Sequence, residues 1–104
     1  MKRGEIWWVN FPPPAGRRPA VLISRNQAYA VRAAVSVVPL TRTVRHIASE
    51  VPLGPADGVP KTSVANADDV TTVPKARLEE YVTTLSPAKL TSLDRAIKFS
   101  LDLT

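Results

Sequence analysis

The chain has no cysteine and a single histidine, His46. The absence of cysteine excludes disulfide bonds, thiolate nucleophiles and thiolate metal ligands. A lone histidine next to Arg45 is more often a surface residue than a catalyst or a ligand. Glycine-rich phosphate loops and clustered metal-ligating residues are also missing from the sequence. We therefore expect neither a metal ion nor a cofactor, and the chemistry left to the chain is that of arginine and hydroxyl side chains.

Long apolar runs are missing as well. No stretch approaches the roughly 18 apolar residues that a membrane span requires. Met1, Lys2 and Arg3 are followed by Gly4 and Glu5 rather than by the apolar core of a secretion signal. The sequence therefore predicts a cytoplasmic protein with no membrane partner. A length of 104 residues predicts one domain over residues 1–104.

Positive charge is abundant and unevenly distributed along the chain. The formal net charge is +5. Residues 1–52 carry eight basic and two acidic side chains, a net charge of +6, whereas residues 53–104 carry six basic and seven acidic ones, a net charge of −1. Seven of the eight N-terminal cations are arginine, whose planar fork pairs with phosphate in a two-pronged manner. This bias favours a polyanionic partner such as nucleic acid.

Short β-strands are predicted through most of the chain. The run EIWWVNF alternates, whereas RPAVLIS is continuously apolar and is expected to be buried on both faces. A polar connection is expected over 26–32, turn-rich or polar loops over 12–16, 42–49 and 54–61, and one helical turn with its exit over 74–81. The predicted strands are 5–11, 18–24, 33–41, 49–53, 63–73 with a bend at its Asp-Asp centre, and 82–85.

The C-terminal segment is predicted to form an amphipathic helix over 87–102. Ser86 and Pro87 provide an N-cap and a first-turn proline. The helix has one apolar stripe, formed by Leu90, Leu93, Ile97 and Leu101. Many short strands with one terminal helix predict a mainly β fold, a small and strongly bent barrel with the helix packed against it.

Two residue pairs have several interpretations. Trp7 and Trp8 face opposite sides of a strand, so one is expected in the core. For the other, a dimer interface or a packed helix is favoured over stacking on a nucleic-acid base. Asp68 and Asp69 also face opposite ways, which makes a carboxylate pair or a metal site improbable. Solvation, support of a bulge, or a salt bridge fits them better.

Arginine and hydroxyl side chains lie at the ends of three predicted strands. Arg18 begins one strand, Thr41 ends another, and Thr62 and Ser63 begin a third. If these strands are neighbours in the sheet, their ends bring these side chains together into a phosphate-binding site. RNA carries its own nucleophile, the 2′-hydroxyl, so an enzyme can cleave it by alignment and charge stabilisation alone. Arginine is not a ready general base, because its guanidinium group stays protonated in proteins.

The segments KRGEIWWVNF, RRPAVLIS, VVPLT, EVPL, GVPKTSVANADDVTTVPKARL and LDL, in this order and spacing, resemble the MazF/PemK family of toxin endoribonucleases over about residues 2–103. The resemblance implies an SH3-like barrel, shared with the CcdB type of toxin, and a homodimer. It also implies metal-independent, sequence-specific cleavage of single-stranded RNA that leaves 2′,3′-cyclic phosphate and 5′-hydroxyl ends. The substrate would be mRNA, or else tRNA or rRNA, and its cleavage would inhibit translation and growth.

The resemblance also assigns site residues. Arg18 and Thr41 match the catalytic pair of the family. In this interpretation Arg18 is a phosphate clamp and a candidate for proton transfer, and Thr41 orients the phosphate or the 2′-hydroxyl. A cognate acidic antitoxin is expected to cover the site. Five neighbouring residues are expected to contact RNA: Arg17, Arg42, Arg45, His46 and Ser63.

Two other functions remain open from the sequence. The first is a non-enzymatic poison of DNA gyrase, because the CcdB type of toxin shares the barrel fold and fold alone does not fix function. The Arg-Pro and Pro-Leu-Thr segments favour the ribonuclease, since a gyrase poison needs no phosphate-binding cleft. The second is an RNA-binding module that has lost activity, because the loop PPPAG is shorter than that of many family members.

Overall fold

The computed structural model describes residues 1–103. In this part of the chain, no helix is long and apolar enough to cross a membrane. Three 3₁₀ turns, at Pro55–Asp57, Ala67–Asp69 and Lys75–Arg77, separate the later strands. The helices and strands are β1 Glu5–Asn10, β2 Arg17–Leu22, α1 Ala28–Val31, β3 Ala34–Thr41, β4 Glu50–Leu53, β5 Ser63–Asn66, β6 Thr71–Pro74, β7 Leu78–Thr84 and α2 Pro87–Ser100.

The seven strands form one antiparallel sheet in the order β4-β5-β3-β2-β1-β7. β3 is the longest strand, and it pairs with β6 through its first half and with β5 through its last two residues. Within residues 1–103 the path does not close, so the sheet is barrel-like rather than a complete barrel. The predicted mainly β fold with a C-terminal helix is confirmed.

β2 is buried on both faces, as its continuous apolar run predicts. Val21 packs into a cluster with Ile6 and α2, whereas Ala20 and Leu22 pack into a second cluster with Val9. All five of these side chains have no solvent exposure. β2 is therefore packed between two apolar clusters, which fixes its position in the fold. Its first residues extend from these clusters at a defined place.

α2 packs on the first cluster through Leu93 and Ala96, both buried, and its N-cap is Ser86 as predicted. Burial of a leucine side chain contributes about 1.5–3 kcal/mol. Leu101 departs from the prediction, since the helix ends at Ser100 and Leu101 remains 54% exposed. The apolar stripe is thus one residue shorter than its periodicity indicates, because the helix ends before Leu101.

Two connections differ from their predictions. The helical turn predicted within 74–81 is present as the 3₁₀ turn Lys75–Arg77, but β7 begins at Leu78 instead of 82. Pairing of Val9 with Leu78 extends β7, and the buried Leu78 side chain anchors it. The connection 26–32 contains the short helix α1, because the apolar Ala28 and Tyr29 are buried rather than solvated.

Asp68 fastens the end of α2 to the sheet. It lies in the 3₁₀ turn Ala67–Asp69, where the sequence predicts a bend. Ser49 Oγ donates to one carboxylate oxygen at 2.6 Å and Ser100 Oγ to the other at 2.8 Å. These hydrogen bonds, that from Ser49 foremost, lower the pKa of Asp68 below its ordinary value of 3.8.

We expect Asp68→Ala to lower the melting temperature slightly at neutral pH. A lowered pKa means that the carboxylate stabilises the folded state above its unfolded pKa, and that this stabilisation is lost as the pH falls through the folded pKa. Thermal unfolding followed by circular dichroism should therefore show the variant and the wild type converging below about pH 4. A difference that stays constant into strong acid would contradict this role.

Candidate active site

A cleft of about 590 Å³ opens where the ends of β2 and β3 meet the loop before β5. Four of its lining side chains are cationic, and the lining within residues 1–103 includes no carboxylate. A concave site lined by one sign of charge concentrates the opposite charge, here that of an anion. The lining residues are Trp8, Arg17, Arg18, Pro19, Leu40, Thr41, Arg42, Thr43, Val59, Pro60, Lys61 and Ser63.

The register of β2 and β3 explains why Arg18 and Thr41 share this cleft. Ala20 pairs with Pro39, and Leu22 pairs with Val37. Because residues in an antiparallel pair run in opposite directions, continuing this register by two residues places Arg18 opposite Thr41. The neighbouring strand ends that the sequence analysis required are therefore present, and the two residues predicted as a pair line one cavity.

The proline-rich loop orients Arg18. Its carbonyl at Ala15 accepts hydrogen bonds from Arg18 Nε at 3.3 Å and from Nη2 at 3.0 Å. Gly16 has φ +68°, a left-handed conformation that favours glycine, and its backbone closes the loop onto Phe11 and Pro12. The guanidinium has five N–H donors, and Ala15 engages one on each of two nitrogens. Within residues 1–103 no carboxylate lies within ion-pair distance of Arg18, although its side chain also lines a smaller cavity together with Asp68 and Asp69.

Thr41 and Ser63 contribute hydroxyl groups to the same cleft. Thr41 Oγ1 accepts the backbone N–H of Thr43 at 3.2 Å, which orients the oxygen and leaves the hydroxyl proton able to donate. Ser63 is buried, and its Oγ donates to the carbonyl of Lys61 at 2.9 Å. Ser63 therefore supports the Lys61 backbone and can still accept a hydrogen bond from a ligand.

Arg17 differs from Arg18 in its surroundings. Its Nε donates to Glu79 at 2.9 Å and its Nη2 to Glu80 at 3.3 Å, and its guanidinium carbon lies 4.4 Å from the centre of the Trp8 ring. The sequence predicts Arg17 as an RNA contact, and its place in the cleft lining is compatible with that. Its charge is nevertheless partnered by β7, which the charge count along the chain does not reveal.

The loop 42–49 places its cationic residues in two groups. Arg42 lines the cleft, whereas Arg45 and His46 are exposed and are not among its lining side chains in residues 1–103. Their backbone N–H groups donate to Glu50 Oε1 at 2.9 and 3.0 Å. Glu50 thus holds this loop in place, and an RNA contact by Arg45 or His46 would lie outside the cleft.

Seven of the lining residues were not assigned to the site from the sequence: Trp8, Pro19, Leu40, Thr43, Val59, Pro60 and Lys61. Lys61 and Val59 lie in the segment 54–61, which the sequence predicts only as a turn-rich loop. Trp8 lies on the same face of β1 as Ile6, but only the fold shows that this face reaches the cleft. Neither tryptophan is fully buried, so the expectation of a core tryptophan is met only in part. Trp7 packs on the second cluster and makes an edge-to-face contact with Tyr81.

A second cavity, of about 560 Å³, lies between α2 and β4. Its charged lining residues are Glu50, Asp57, Lys89 and Arg95, two of each sign. Lys89 Nζ is already bonded to the Pro52 carbonyl at 2.7 Å. This balanced lining has no preference for an anion, so the first cavity is the candidate site for a phosphate ligand.

Residues 2–101 match the family described as PemK-like, MazF-like toxins of type II toxin–antitoxin systems. The chain belongs to this family. Among curated relatives, "Probable endoribonuclease MazF5" of Mycobacterium tuberculosis is 36% identical over 101 residues, which cover 96% of this chain and 92% of that protein.

Solved structures of MazF-like toxins have the same fold. The M. tuberculosis toxin MazF-mt6 superposes with a TM-score of 0.88 at 28% identity, covering 96% of this chain and 98% of that one. An endoribonuclease in complex with its cognate antitoxin, from a mycobacterial species, gives a TM-score of 0.89 at 30% identity, covering 100% and 97%. The resemblance to MazF/PemK toxins is therefore confirmed, and the gyrase-poison alternative is not favoured.

Proposed function

We propose that this MazF-like toxin is an endoribonuclease that cleaves single-stranded RNA in the cleft between β2 and β3. The observation that carries the proposal is that Arg18, which makes no ion pair within residues 1–103, lines one cavity with Thr41 and three further cations, Arg17, Arg42 and Lys61. The endoribonuclease names of its relatives support the reaction class. The proposal includes one functional domain over residues 1–104 and the homodimer implied by the family resemblance.

Arg18 would clamp the scissile phosphate. Its N–H donors that do not engage Ala15 can reach the non-bridging oxygens, on which negative charge grows as phosphorus becomes five-coordinate. Because Ala15 already holds the guanidinium, little reorganisation is needed when that charge develops. Arg42 and Lys61 line the same cavity and would bind flanking phosphates as the strand enters and leaves.

Thr41 would orient the reacting groups by donating its hydroxyl proton to a phosphate oxygen. The substrate's 2′-oxygen attacks phosphorus, the bond from phosphorus to the 5′-oxygen breaks, and the products are a 2′,3′-cyclic phosphate and a 5′-hydroxyl. Overall, one proton moves from the 2′-hydroxyl to the departing 5′-oxygen. Alignment and charge stabilisation are the two contributions that Thr41 and Arg18 can make to this reaction.

End mapping of a long single-stranded RNA tests the reaction. We expect cuts at a short recurring sequence, undiminished by excess EDTA, because the proposed chemistry uses only arginine, threonine and the substrate's own hydroxyl. The 3′ ends should resist polyadenylation until the cyclic phosphate is removed. The 5′ ends should accept phosphate from a polynucleotide kinase without prior phosphatase treatment.

The same experiment distinguishes the alternatives. RNA that is bound but uncut would indicate an RNA-binding module without activity, and inhibition of DNA gyrase without RNA cleavage would indicate the poison. Activity that is lost on chelation and restored by a divalent ion would contradict the metal-independent mechanism. The identity of the cut RNA, whether mRNA, tRNA or rRNA, follows from sequencing the new ends.

We also propose that an acidic, extended antitoxin segment covers the Arg17–Arg18 region and competes with RNA. The cationic cleft favours such a segment, and charge attraction should make association fast and salt-sensitive. Titrating an acidic antitoxin peptide against the toxin should displace a labelled oligonucleotide, with an affinity that falls as salt rises. Arg42→Gln should weaken the peptide more than Arg32→Gln, which removes the same charge outside the cleft lining. Simultaneous binding of peptide and RNA would exclude a shared site.

A further inference from the structure

Trp8, Arg17, Glu79 and Glu80 form one assembly at the edge of the cleft. In the sheet Trp8 pairs with Pro19 on one side and with Glu80 on the other, so all three side chains share a face. Arg17 lies two residues before Pro19 and is therefore the diagonal neighbour of Trp8, within reach of a long side chain. The observed 4.4 Å separation between the guanidinium carbon and the centre of the Trp8 ring follows from this register.

The contacts that hold Arg17 over Trp8 are weak enough to open. The Arg17 side chain is 46% exposed, and those of Glu79 and Glu80 are 41% and 68% exposed. Ion pairs this exposed contribute little to stability. A phosphate can accept two parallel, charge-assisted hydrogen bonds from Arg17. The neighbouring cations of the cleft attract phosphate to this position.

The Trp8 ring, which Arg17 covers, has surroundings suited to base stacking. Its ring is half-buried and lines the cleft beside the apolar side chains of Pro19 and Leu40. An aromatic ring beside a cationic groove is the arrangement with which proteins hold single-stranded nucleic acid, since every base has a π-face. Phosphate binding at the cations and base stacking on Trp8 would thus use two parts of one cavity.

We infer that Trp8 is a base-stacking platform and that Arg17, held over the ring by Glu79 and Glu80, is a gate that an incoming phosphate draws aside. This inference rests on the proposed function, because it takes single-stranded RNA as the ligand. It assigns opposite roles to neighbouring arginines: Arg18 acts on the scissile phosphate, whereas Arg17 controls access to the ring. The two glutamates then reduce RNA affinity in the wild-type protein.

The two tryptophans provide a matched spectroscopic test, since they are the only ones in the chain. In Trp7→Phe the remaining fluorescence comes from Trp8, and in Trp8→Phe it comes from Trp7. The ligand is a 2′-O-methyl RNA spanning a mapped cut site, which cannot be cleaved because its 2′-oxygen is blocked. We expect this RNA to quench Trp8 and to leave Trp7 unchanged. An unchanged Trp8 signal at saturation, or quenching of Trp7 alone, would overturn the inference.

Affinity measurements separate stacking from charge. Trp8→Leu should weaken RNA binding roughly 5- to 150-fold, the range expected for one stacked base. The loss should shrink to within about twofold when the oligonucleotide carries an abasic site at the stacked position. An equal loss with the intact and the abasic oligonucleotides would show that Trp8 only supports the fold of the cleft.

The gate is tested by a double-mutant cycle. Glu79→Gln with Glu80→Gln should tighten RNA binding roughly three- to tenfold. It should also steepen the dependence of log affinity on log salt by about 0.7, as expected for one added phosphate contact on a single strand. In an Arg17→Gln background most of this gain should disappear. A gain of the same size in both backgrounds would reflect general charge removal and would overturn the gate.

These measurements do not depend on cleavage. If no RNA is cut, oligouridylate replaces the mapped substrate; the proposed nuclease activity then fails, while quenching of Trp8 still supports the platform. If RNA is cut normally by Trp8→Leu with unchanged affinity, the platform fails while the nuclease assignment stands. Quenching of Trp8 by an acidic peptide but by no oligonucleotide would assign the ring to a protein partner and overturn the inference.

Discussion

Arg18→Ala is expected to lower the rate of RNA cleavage by about 10²–10³-fold, the usual effect of removing one donor that stabilises charge in a transition state. The loss should appear in kcat, because the bonds from Arg18 strengthen as charge accumulates on the phosphate oxygens. Arg18→Lys should not restore the rate, because an ammonium group lacks the planar two-pronged geometry. Single-turnover cleavage of an end-labelled RNA measures both variants.

The control for Arg18 is Arg32→Ala. It removes the same charge from an exposed residue after α1, outside the cleft lining, and should retain the wild-type rate. Circular dichroism should show that each variant is folded, since the side chain of Arg18 is hydrogen-bonded only to the Ala15 carbonyl within residues 1–103. A wild-type rate in folded Arg18→Ala would remove Arg18 from the active site.

Thr41→Val is expected to slow cleavage about ten- to hundredfold. Valine keeps the branched shape at the end of β3 and removes the hydroxyl, so the loss corresponds to one hydrogen bond to a charged group. The fold should survive, because the hydroxyl accepts only the backbone N–H of Thr43 among the described residues. Cleavage rates measured under single-turnover conditions, with melting temperatures alongside, provide the test.

Thr72→Val is the matched control for Thr41. Thr72 is an exposed threonine of β6 that lies outside the cleft, so its variant should cut RNA at the wild-type rate. If Thr41→Val and Thr72→Val both stay within a few-fold of wild type, Thr41 is only a strand residue. In that case Arg18 alone carries the proposed catalysis.

Local pattern was sufficient to predict much of this fold. The continuous apolar run of β2 predicted a strand buried on both faces, and Ala20, Val21 and Leu22 are fully buried. Ser86 predicted the start of α2 because a side-chain oxygen that satisfies a free helix N–H is a local interaction. Where a boundary depended on a distant partner, prediction failed: β7 begins at Leu78 because it pairs with β1.

The residues of the candidate site likewise fall into those set by local pattern and those set by distant partners. The shared location of Arg18 and Thr41 could be predicted from sequence because each lies at one end of a buried strand. Their assignment as a catalytic pair came from the family resemblance and stays a prediction. The neutralisation of Arg17 could not be predicted, because Glu79 and Glu80 are more than sixty residues away along the chain. The net charge of residues 1–52 therefore does not give the net charge of the surface on which Arg17 lies, because acidic residues from the other half of the chain share that surface.

The position of Trp8 at the cleft was likewise decided by tertiary structure. Alternation along β1 separates the faces of Trp7 and Trp8, but it does not say which face packs on a core and which opens on a cleft. That depends on which strands lie beside β1 and how strongly the sheet bends, and both are set by pairing between remote segments. Periodicity along a strand records burial, whereas a binding site is made by residues that only the register of the sheet brings together.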